Sequence, residues 1–308
     1  MSSEPSIREI DVDRDAEGVV ALFHESEPQW VVTPESWRYD LEHFPPRAEY
    51  RGWVAVANDG IVGVAAALRH AWTTEPDVAH AFATVGSGYR RRGIGSRLYA
   101  LAEEHAAGLG AHRLLCWLNE TDEGLAFATA RGFTQGRSAV HSLVDPATVD
   151  VSRLDTLPPD VRVAPLDELE SRLEDVFAVV REAVLDEPTS VPVDALTLDQ
   201  FLDELRNPLS SWAGTFCTLE RDEVATFAGV AADPASGVAR NGFTGTRRAY
   251  RGRSYATFAK LASIRWLAAN GYTKLWTGND EANVVMLAVN RRLGYRPALR
   301  AVEVSREL

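Results

Sequence analysis

A short arginine- and glycine-rich segment occurs twice in this chain. The first copy runs from Tyr89 to Gly95 and the second from Tyr250 to Ala256. In both copies an apolar, strand-like run precedes the segment, a helical pattern follows it, and a glycine with an aromatic residue after it closes the repeat. The equivalent landmarks lie 161, 161 and 162 positions apart at Arg90/Arg251, Gly110/Gly271 and Gly132/Gly294. Landmarks that keep their register in this way predict a duplicated domain.

The order of strand and helix patterns around the repeat predicts an α+β fold. A chain of 308 residues fits two domains of about 150 residues each. We place the first domain at 1–145, a proline-containing linker at 146–160 and the second domain at 161–308. Each half ends in one strand–loop–helix–strand unit and closes on a strand of its own, near 139–144 and 299–304. We therefore expect two mixed, mostly antiparallel sheets, each flanked by helices.

The distribution of charge narrows the class of ligand. The net charge is −12, which argues against general binding to nucleic acid or to an anionic membrane. The arginines are concentrated at Arg90–Arg92 and between Arg247 and Arg253. Local basic spots in an acidic protein suit a small anionic ligand, so we expect small-molecule partners and neither nucleic acid nor membrane.

Cysteine usage and the apolar runs favour a reducing location. Cys116 and Cys217 lie in strand-like runs with different flanks, and we interpret both as free thiols. The polar residues Ser2-Ser3-Glu4-Pro5 are not typical of a signal peptide. The longest apolar stretch, 53–68, is interrupted by Asn58-Asp59-Gly60, which predicts a hairpin turn and no membrane span. The cytoplasm is the expected location.

Each arginine–glycine segment is predicted to open a helix, and this placement favours an anion. The first backbone N–H groups of a helix lack partners within the helix and carry a partial positive charge. Gly93 and Gly95 allow a ligand close to the backbone, and guanidinium groups match phosphate geometry. Neither segment has the pattern of a nucleoside triphosphate loop or of a dinucleotide fingerprint. The alternative is a helix start that contacts only water. The occurrence of the segment twice in the same context argues against this alternative.

The pattern Arg-x-x-Gly-x-Gly/Ala between an apolar strand and a helix resembles the pyrophosphate loop of the GCN5-related N-acetyltransferases, the GNAT superfamily. A later Asn-x-x-x-Leu…Gly-Phe/Tyr helix adds to the likeness, and both halves carry it, as in tandem proteins of the mycothiol synthase-like form. The resemblance implies that acetyl-CoA is the cofactor and that the loop amides hold its pyrophosphate. The cofactor-binding residues that it implies are Arg90, Arg91, Arg92, Gly93, Ile94, Gly95, Ser96, Arg251, Gly252, Arg253, Ser254, Tyr255 and Ala256.

Two strand ends and one helix start complete the implied site. Val85 and Thr246 match the position whose backbone pairs with pantetheine and polarises the thioester carbonyl. Asn283 matches a pantetheine contact and is equally interpreted as a helix N-cap, while its counterpart in the first half is Thr121. Ser254 replaces a loop glycine, so we expect weakened phosphate binding in the second half.

The sequence departs from the family pattern where catalysis needs a proton donor or acceptor. Ala128 and Asn290 stand where many members have a tyrosine that protonates the leaving thiolate. Ala79 and Arg240 stand where some members have a glutamate base. His80 is adjacent but should face the other side of the strand, in a structural role. The catalytic residues are therefore unassigned.

Little else in the sequence points to chemistry. Trp30, Trp37 and Trp72 lie in segments that flank the acceptor side in this family, which suggests an aromatic-lined acceptor pocket. The sequence contains no His-Glu-x-x-His, Gly-x-Ser-x-Gly or Cys-x-x-Cys pattern, so we expect neither a metal site nor serine hydrolysis.

These features favour an N-acetyltransferase that moves acetyl from acetyl-CoA to a primary amine of a small molecule, by direct attack in a ternary complex. The alternative is a non-catalytic acyl-CoA-binding or sensing protein with at least one degenerate domain, which the missing acid and base favour. Release of free thiol with some amine distinguishes the two. We expect both halves to bind coenzyme A and one to transfer acetyl. Which half transfers, the acceptor and the oligomeric state are left open.

Overall fold

The structure is a computed structural model that describes residues 4–58, 60–70, 73, 75, 77–192, 194 and 196–308. The described strands are β1 (Ser6–Glu9), β2 (Arg51–Ala57), β3 (Gly60–Arg69), β4 (Val78–Val85), β5 (Arg113–Asn119), β6 (Thr134–Val144), β7 (Val161–Pro165), β8 (Phe216–Glu220), β9 (Glu223–Asp233), β10 (Val238–Thr246), β11 (Lys274–Asp280) and β12 (Arg296–Glu307). The described α-helices are α1 (Val12–Ser26), α2 (Pro34–His43), α3 (Ile94–Gly108), α4 (Asp122–Thr129), α5 (Leu173–Val184), α6 (Leu198–Arg206), α7 (Tyr255–Ala269) and α8 (Val284–Arg292). Asp59 of the predicted hairpin turn lies outside the described residues.

Unit 1, the first of two compact units, comprises Met1–Ser138, Ser190–Asp194 and Ala301–Leu308. Its strands follow the order β1-β2-β3-β4-β5-β12. Neighbouring strands are antiparallel except β4 and β5, which are parallel. Helices α1 and α2 cover one face, where Val64 is buried, and helix α3 covers the other, where Ala65 is buried. Alternation along β3 thus places an apolar layer on each side of the sheet.

Unit 2 comprises Ala139–Thr189 and Ala195–Arg300. Its strands follow the order β6-β11-β10-β9-β8-β7, again antiparallel except for the parallel pair β10 and β11. Phe227 faces the apolar layer that contains residues of α5 and α6, and Ala228 faces the layer that contains residues of α7. The predicted mixed, mostly antiparallel sheet between helices is therefore confirmed in both units.

Each sheet is closed by a strand from the opposite half of the sequence. Strand β12 pairs with β5 of unit 1, from Ala301 opposite Asn119 to Glu307 opposite Arg113. Strand β6 pairs with β11 of unit 2, from Val144 opposite Leu275 to Ala139 opposite Asp280. The compact units thus differ from the predicted ranges 1–145 and 161–308, which kept each closing strand in its own half. An alternating apolar pattern shows which face of a strand is buried but not which strand supplies the backbone partners.

Local sequence explains where several helices begin. Thr33 and Ser36 cap α2 reciprocally, with Pro34 at its first position, and Thr197 and Gln200 form a capping box at the start of α6. The segment 146–160, predicted as a linker, belongs to unit 2. Cys116 and Cys217 are free thiols, as predicted. None of the described helices has both the length and the apolar character needed to cross a membrane.

Candidate functional site

The two parallel strands of unit 1 separate part-way along their length. Strand β4 pairs with β5 only from Val78 to His80, while its other edge pairs with β3 as far as Val85. Strand β5 continues to Asn119 in its pairing with β12. Within the described part of the chain, residues 81–85 therefore have one backbone edge without a β5 partner. An edge of this kind can accept an extended ligand as an additional strand.

Strands β10 and β11 of unit 2 separate at the equivalent place. Their parallel pairing ends at Arg240 opposite Trp276, and β10 then continues to Thr246 beside β9 alone. In unit 2 the register between β10 and β9 also shifts between Asn241 and Thr244. This irregularity is a β-bulge at the point of separation, whereas the β3–β4 pairing of unit 1 runs without a shift. Bulges are common next to active sites because they redirect backbone groups.

The loop of unit 1 leads from the open edge directly into helix α3. The Nε of Arg90 donates to the carbonyl oxygen of Val85 over 3.0 Å and closes the loop onto the strand end. Arg91 and Gly93 adopt left-handed backbone angles, with φ of +62° and +77°. A Cβ built on Gly93 would meet no heavy atom within 4 Å. The loop surface at the N-terminus of α3 is thus open, as the approach of a phosphate requires.

The remaining predicted residues of this loop support its geometry. Ile94 is 2% exposed and belongs to the core under the loop. Gly95 lies against the strand end, where a Cβ would be in van der Waals contact with Val85 Cγ2 at 3.4 Å. The Oγ of Ser96 accepts a hydrogen bond from Arg131 over 2.8 Å.

The arginines of the first loop are largely unopposed by carboxylates. Arg91 makes no hydrogen bond or ion pair with any described residue, and Arg92 donates to the carbonyl oxygen of Gly88 and stacks on the ring of Tyr89. Arg90 meets Glu123 over 3.4 Å on an exposed surface. The hydrogen bond from the Ser87 N–H and, to a smaller extent, the charge of Arg90 lower the pKa of Glu25. Exposed contacts of this kind are worth little because water screens them. The first loop therefore presents net positive charge to a ligand.

The loop of unit 2 has the same backbone with the residue types exchanged. The Nε of Arg251 donates to the carbonyl oxygen of Thr246 over 3.1 Å. The left-handed positions are Gly252, with φ of +77°, and Ser254, with φ of +66°. The first loop thus has an arginine and then a glycine at its two left-handed positions, whereas the second loop has a glycine and then a serine. A non-glycine residue in this region is strained by roughly 1 kcal/mol, and each loop carries one.

Carboxylates surround the arginines of the second loop. Asp186 binds Arg248 over 2.8 Å and Arg251 over 2.5 Å, and these two guanidinium groups hold the pKa of Asp186 at about 2. Arg253 binds Glu220 over 2.6 Å. The Ser254 hydroxyl also accepts from Arg153 over 2.8 Å, and the hydroxyl of the buried Tyr255 donates to Glu220; Ala256 follows in the first turn of α7. The second loop therefore has most of its positive charge already neutralised.

Each unit also has a capped helix beyond the separated strands. Asn283 accepts from the backbone N–H of Met286 over 3.2 Å and caps α8, and Thr121 caps α4 in the same way. Ala128 is buried, and Asn290 is buried with its amide donating to Asn279 over 2.6 Å. Neither residue replaces the proton donor that the family pattern places there. The N-cap role of Asn283 is compatible with a ligand contact, which stays a prediction.

The sequence analysis did not identify Glu27, a half-buried carboxylate of unit 1 that is a candidate base. Glu27 is the C-cap of α1 and accepts a hydrogen bond from Gln29 over 2.6 Å. Gln29, which is 1% exposed, also donates to Asn119 at the end of β5 over 2.8 Å. This contact ties the Glu27 segment to the far side of the separated strands. Burial raises the pKa of Glu27, which makes it a better proton acceptor near neutral pH.

His80 lies at the last paired position of β4 and offers a weaker base. Its ring contacts that of His70 in a tilted arrangement, with centroids 4.7 Å apart. Burial, and then the neighbouring His70, lower the pKa of His80 to about 4. Arg240 is the counterpart of Ala79 in unit 2, and burial lowers its pKa to about 10, so it stays a cation. Among the described residues, no group of three His, Cys, Asp or Glu side chains is arranged to bind a metal ion.

Comparisons with known proteins agree with this geometry. Residues 19–133 match the profile of the Acetyltransferase (GNAT) family, and comparison with curated proteins finds no match. The fold is similar to that of a tandem GNAT protein from the clavulanic acid biosynthesis pathway, with a TM-score of 0.74, 21% identity and coverage of 99% of this chain and 98% of the other. A GCN5-related N-acetyltransferase from Sphaerobacter thermophilus has a TM-score of 0.69, 17% identity and coverage of 98% and 95%.

A putative acetyltransferase from Pyrococcus horikoshii also shares the fold, with a TM-score of 0.54, 14% identity and coverage of 100% of this chain and 91% of the other. Residues 19–133 thus form a GNAT-family domain, which supports acyl transfer as a general function, and the chain as a whole has the fold of a tandem GNAT protein. The family match falls within unit 1, the unit with the unopposed loop arginines.

Proposed function

We propose that this protein is an N-acetyltransferase that uses acetyl-CoA to acetylate a primary amine of a small molecule, and that unit 1 carries out the transfer. The observation that carries the proposal is the continuity of the open β4 edge with the basic loop at the start of α3. One strand end thus offers backbone partners for an extended arm and, directly after it, N–H groups and guanidinium groups for a pyrophosphate.

The residues of unit 1 fit acetyl-CoA on two independent counts. A Cβ on Gly93 would meet nothing within 4 Å, so the backbone of the loop is accessible. Arg91 and Arg92 have no carboxylate partner among the described residues, so their charge is available. Acetyl-CoA supplies the activated acetyl group as a thioester when bound. Val85, Arg90–Gly95 and Ser96 would hold it in unit 1; Thr246, Arg251–Ala256 and Asn283 would hold it in unit 2.

Glu27 is the proposed proton acceptor of the reaction. A primary amine arrives as an ammonium ion at neutral pH, and its nitrogen can attack a carbonyl carbon only after the proton is removed. Glu27 takes this proton, since its carboxylate borders the separated strands through Gln29 and Asn119. The new nitrogen–carbon bond then replaces the carbon–sulfur bond, and the second proton that the nitrogen loses passes to the sulfur, which leaves as the thiol. Orientation of the amine by unit 1 supplies most of the rate enhancement.

Unit 2 is proposed to bind coenzyme A more weakly and to transfer no acetyl group. Its loop arginines are paired with Asp186 and Glu220, so a pyrophosphate would have to compete with these carboxylates. Counting from Glu25 and Glu182, which both accept a backbone N–H at the start of a loop, the counterpart of Glu27 is Val184. A valine cannot accept a proton, and this favours a non-catalytic binding role for unit 2.

Calorimetric titration with acetyl-CoA tests this proposal on the wild type and on Gly93→Glu and Ser254→Glu. Gly93→Glu should abolish the tighter binding event because its carboxylate repels the pyrophosphate, and Ser254→Glu should remove only the weaker one. Gly93→Ser is the matched control, because Ser254 shows that serine tolerates this backbone conformation. A folded wild type that takes up no acetyl-CoA would refute the proposal. Unchanged tight binding in Gly93→Glu would instead show that unit 1 is not the cofactor site.

A further inference from the structure

Unit 1 contains an apolar cavity on the α1–α2 face of its sheet. The cavity has a volume of about 180 Å³ and is bounded by α1, α2, β3 and β4. Its aromatic lining consists of Phe23, Trp37, Phe44, Tyr50 and Phe82. Of the three tryptophans in the predicted acceptor pocket, Trp37 lines this cavity. Trp30 is 49% exposed, and Trp72 lies outside the described residues.

The cavity adjoins the place where the two parallel strands separate. Phe82 lies two residues beyond His80, the last residue of β4 that pairs with β5. Its ring is 6.3 Å from that of Phe23, measured between centroids. Phe23 lies one helical turn before Glu27, whose N–H donates to the Phe23 carbonyl oxygen over 2.7 Å. The proposed base therefore follows a lining residue of the cavity by four positions, at the C-terminal end of α1.

The size of the cavity limits what it can hold. In another protein, a cavity of roughly 150 Å³ lined by leucine, isoleucine and phenylalanine stays dry and binds benzene. At about 180 Å³ the cavity of unit 1 accommodates one six-membered ring and a short linker, and is too small for two fused rings with a linker. The stacked pair Phe44 and Tyr50, with centroids 5.7 Å apart, forms a flat apolar wall suited to a ring.

The charge of the lining selects the sign of the ligand. Asp40 contributes a carboxylate, and burial raises the pKa of the Tyr50 hydroxyl, which is therefore a neutral phenol. Asp40 is exposed, so its carboxylate lies at the solvent side of the cavity, where it favours a cation over an anion. The combination of one ring-sized apolar space, a carboxylate at its solvent side and a base at the end of the same α1 helix suits an amine that carries a ring.

We propose that the acceptor of unit 1 is a primary amine joined by a short linker to a single six-membered ring, with the ring in this cavity and the nitrogen towards Glu27. The inference rests on the proposed acetyltransferase function and adds the class of acceptor to it. A pocket that receives one apolar group discriminates by roughly 10- to 200-fold for a single methylene, so a whole ring should discriminate by at least about 100-fold.

Thiol release from acetyl-CoA with three amines tests the acceptor class. 2-Phenylethylamine should be acetylated with a kcat/KM at least about 100-fold above that of ethanolamine, which has the same amine and no ring. 2-(Naphthyl)ethylamine should be at least about 10-fold worse than 2-phenylethylamine, because the second ring exceeds the cavity. Equal values for 2-phenylethylamine and ethanolamine would overturn the inference.

Two substitutions on different elements reduce the cavity volume, and they test the role of the cavity independently of the rest of the site. Val64→Phe on β3 and Leu41→Phe on α2 both add volume at lining positions. Each should lower kcat/KM for 2-phenylethylamine about 10-fold or more and leave acetyl-CoA binding and the ethanolamine rate unchanged. Urea unfolding shows whether each variant is folded. If one variant does not fold, the other still provides the test. An equal loss with both amines in two folded variants would overturn the inference.

The remaining outcomes distinguish this inference from the proposed function. If acetyl-CoA binds and ethanolamine releases thiol but 2-phenylethylamine does not, the acceptor class is wrong and the acetyltransferase stands. If benzoyl-CoA is used at least about 10-fold better than acetyl-CoA with ethanolamine, the cavity holds the acyl group and the inference fails. If acetyl-CoA does not bind, both fail. Binding of acetyl-CoA and 2-phenylethylamine without thiol release would likewise refute both.

Discussion

The two loops of this protein have almost the same backbone but differ in how far carboxylates neutralise their arginines. In both, an arginine closes the loop onto the preceding strand end, at Val85 over 3.0 Å and at Thr246 over 3.1 Å. Both then reach a helix through two left-handed residues. Yet Arg90 meets Glu123 only over 3.4 Å, while its counterpart Arg251 binds Asp186 over 2.5 Å. Arg91, whose counterpart is Gly252, has no partner among the described residues. The backbone conformation of a phosphate-type loop can thus stay the same when its arginines are paired with carboxylates of the protein.

The difference shows that loop geometry and binding strength are separate properties. A helix N-terminus contributes roughly 0.3–1 kcal/mol towards an anion, whereas each hydrogen bond between charged groups contributes about 1.5–3 kcal/mol. Guanidinium groups therefore decide how tightly a pyrophosphate binds. Arginines that are already paired with carboxylates must exchange one anion for another, and their net contribution is smaller. Four experiments test this comparison between the units.

The largest effect is expected from Glu27→Gln in unit 1. Without a proton acceptor, kcat/KM for the acceptor amine should fall by about 100-fold or more. The rate of the wild type should fall as pH drops through the raised pKa of Glu27, because protonation removes the base. The variant should lack this limb of the pH profile. Steady-state thiol release over a range of pH measures both effects.

Val184→Ala is the matched control for Glu27→Gln, since Val184 is the counterpart in unit 2. It should leave transfer unchanged. A Glu27→Gln variant with the wild-type pH profile would show that Glu27 is not the base. The units would then not differ in this respect.

The next effect concerns stability and the cores beneath the loops. Lys260 on α7 is 1% exposed, and its Nζ lies 5.2 Å from the centroid of the Tyr295 ring. Burial lowers the pKa of Lys260 to about 7. The unfolded chain therefore binds more protons than the folded one between pH 7 and the ordinary lysine pKa of about 10.5, so wild-type stability should rise with pH in that window. Lys260→Met should be more stable at pH 7 by roughly 2–4 kcal/mol and lack this rise.

Urea unfolding at several pH values measures this effect. Tyr99 occupies the equivalent position in unit 1, and its buried hydroxyl has no hydrogen-bond partner among the residues that the structure describes. Tyr99→Phe should therefore be neutral or stabilising by about 1 kcal/mol, with no dependence on pH in the same window. A Lys260→Met variant less stable than the wild type at pH 7 would contradict the prediction.

A smaller effect should follow from changing the charge around the loops. Asp186→Asn removes the carboxylate that binds Arg248 and Arg251, and it should raise the affinity of unit 2 for coenzyme A about 5- to 10-fold. Arg91→Ala in unit 1 should lower affinity by a similar factor. Calorimetry at two salt concentrations measures both, since the gain should shrink as salt screens the charges. Unchanged affinity in Asp186→Asn would show that charge pairing does not distinguish the loops.

The smallest effect concerns backbone strain at the left-handed positions. Ser254→Gly should stabilise the protein by about 0.5–1 kcal/mol, because glycine adopts this conformation without a Cβ penalty. Gly93→Ser should destabilise it by a similar amount. Thermal unfolding of the two variants side by side measures the difference. Shifts of the same sign would mean that the two loops do not share this conformational constraint.

The local features of the fold could be predicted from the sequence. Thr197 is followed three residues later by Gln200, a pattern typical of a helix start, and it caps α6. Both arginine–glycine segments begin a helix after a strand, as predicted. These features depend on contacts between residues close in sequence, so the pattern of residue types is enough to reveal them.

Part of the candidate site could not be predicted in this way. Glu27 lies among polar residues at the end of a helix, with nothing in the local pattern to suggest a buried carboxylate. Its burial depends on Gln29 and on Asn119, which is about 90 positions away. The loop sequences also gave no sign that Asp186 neutralises one loop, because that carboxylate is 65 positions from Arg251. Contacts over such distances depend on the packing of the whole unit.

The amino-acid sequence by itself determined the duplication, the type of each unit and the position of both phosphate-type loops, because repeats and periodic patterns are properties of neighbouring residues. Only the tertiary structure decided which strand closes each sheet, since β6 and β12 pair outside their own halves of the sequence. It also decided which loop keeps its positive charge. Both outcomes depend on which distant groups the fold brings within a few ångströms, and backbone and ionic partners of this kind leave no periodic trace in the chain.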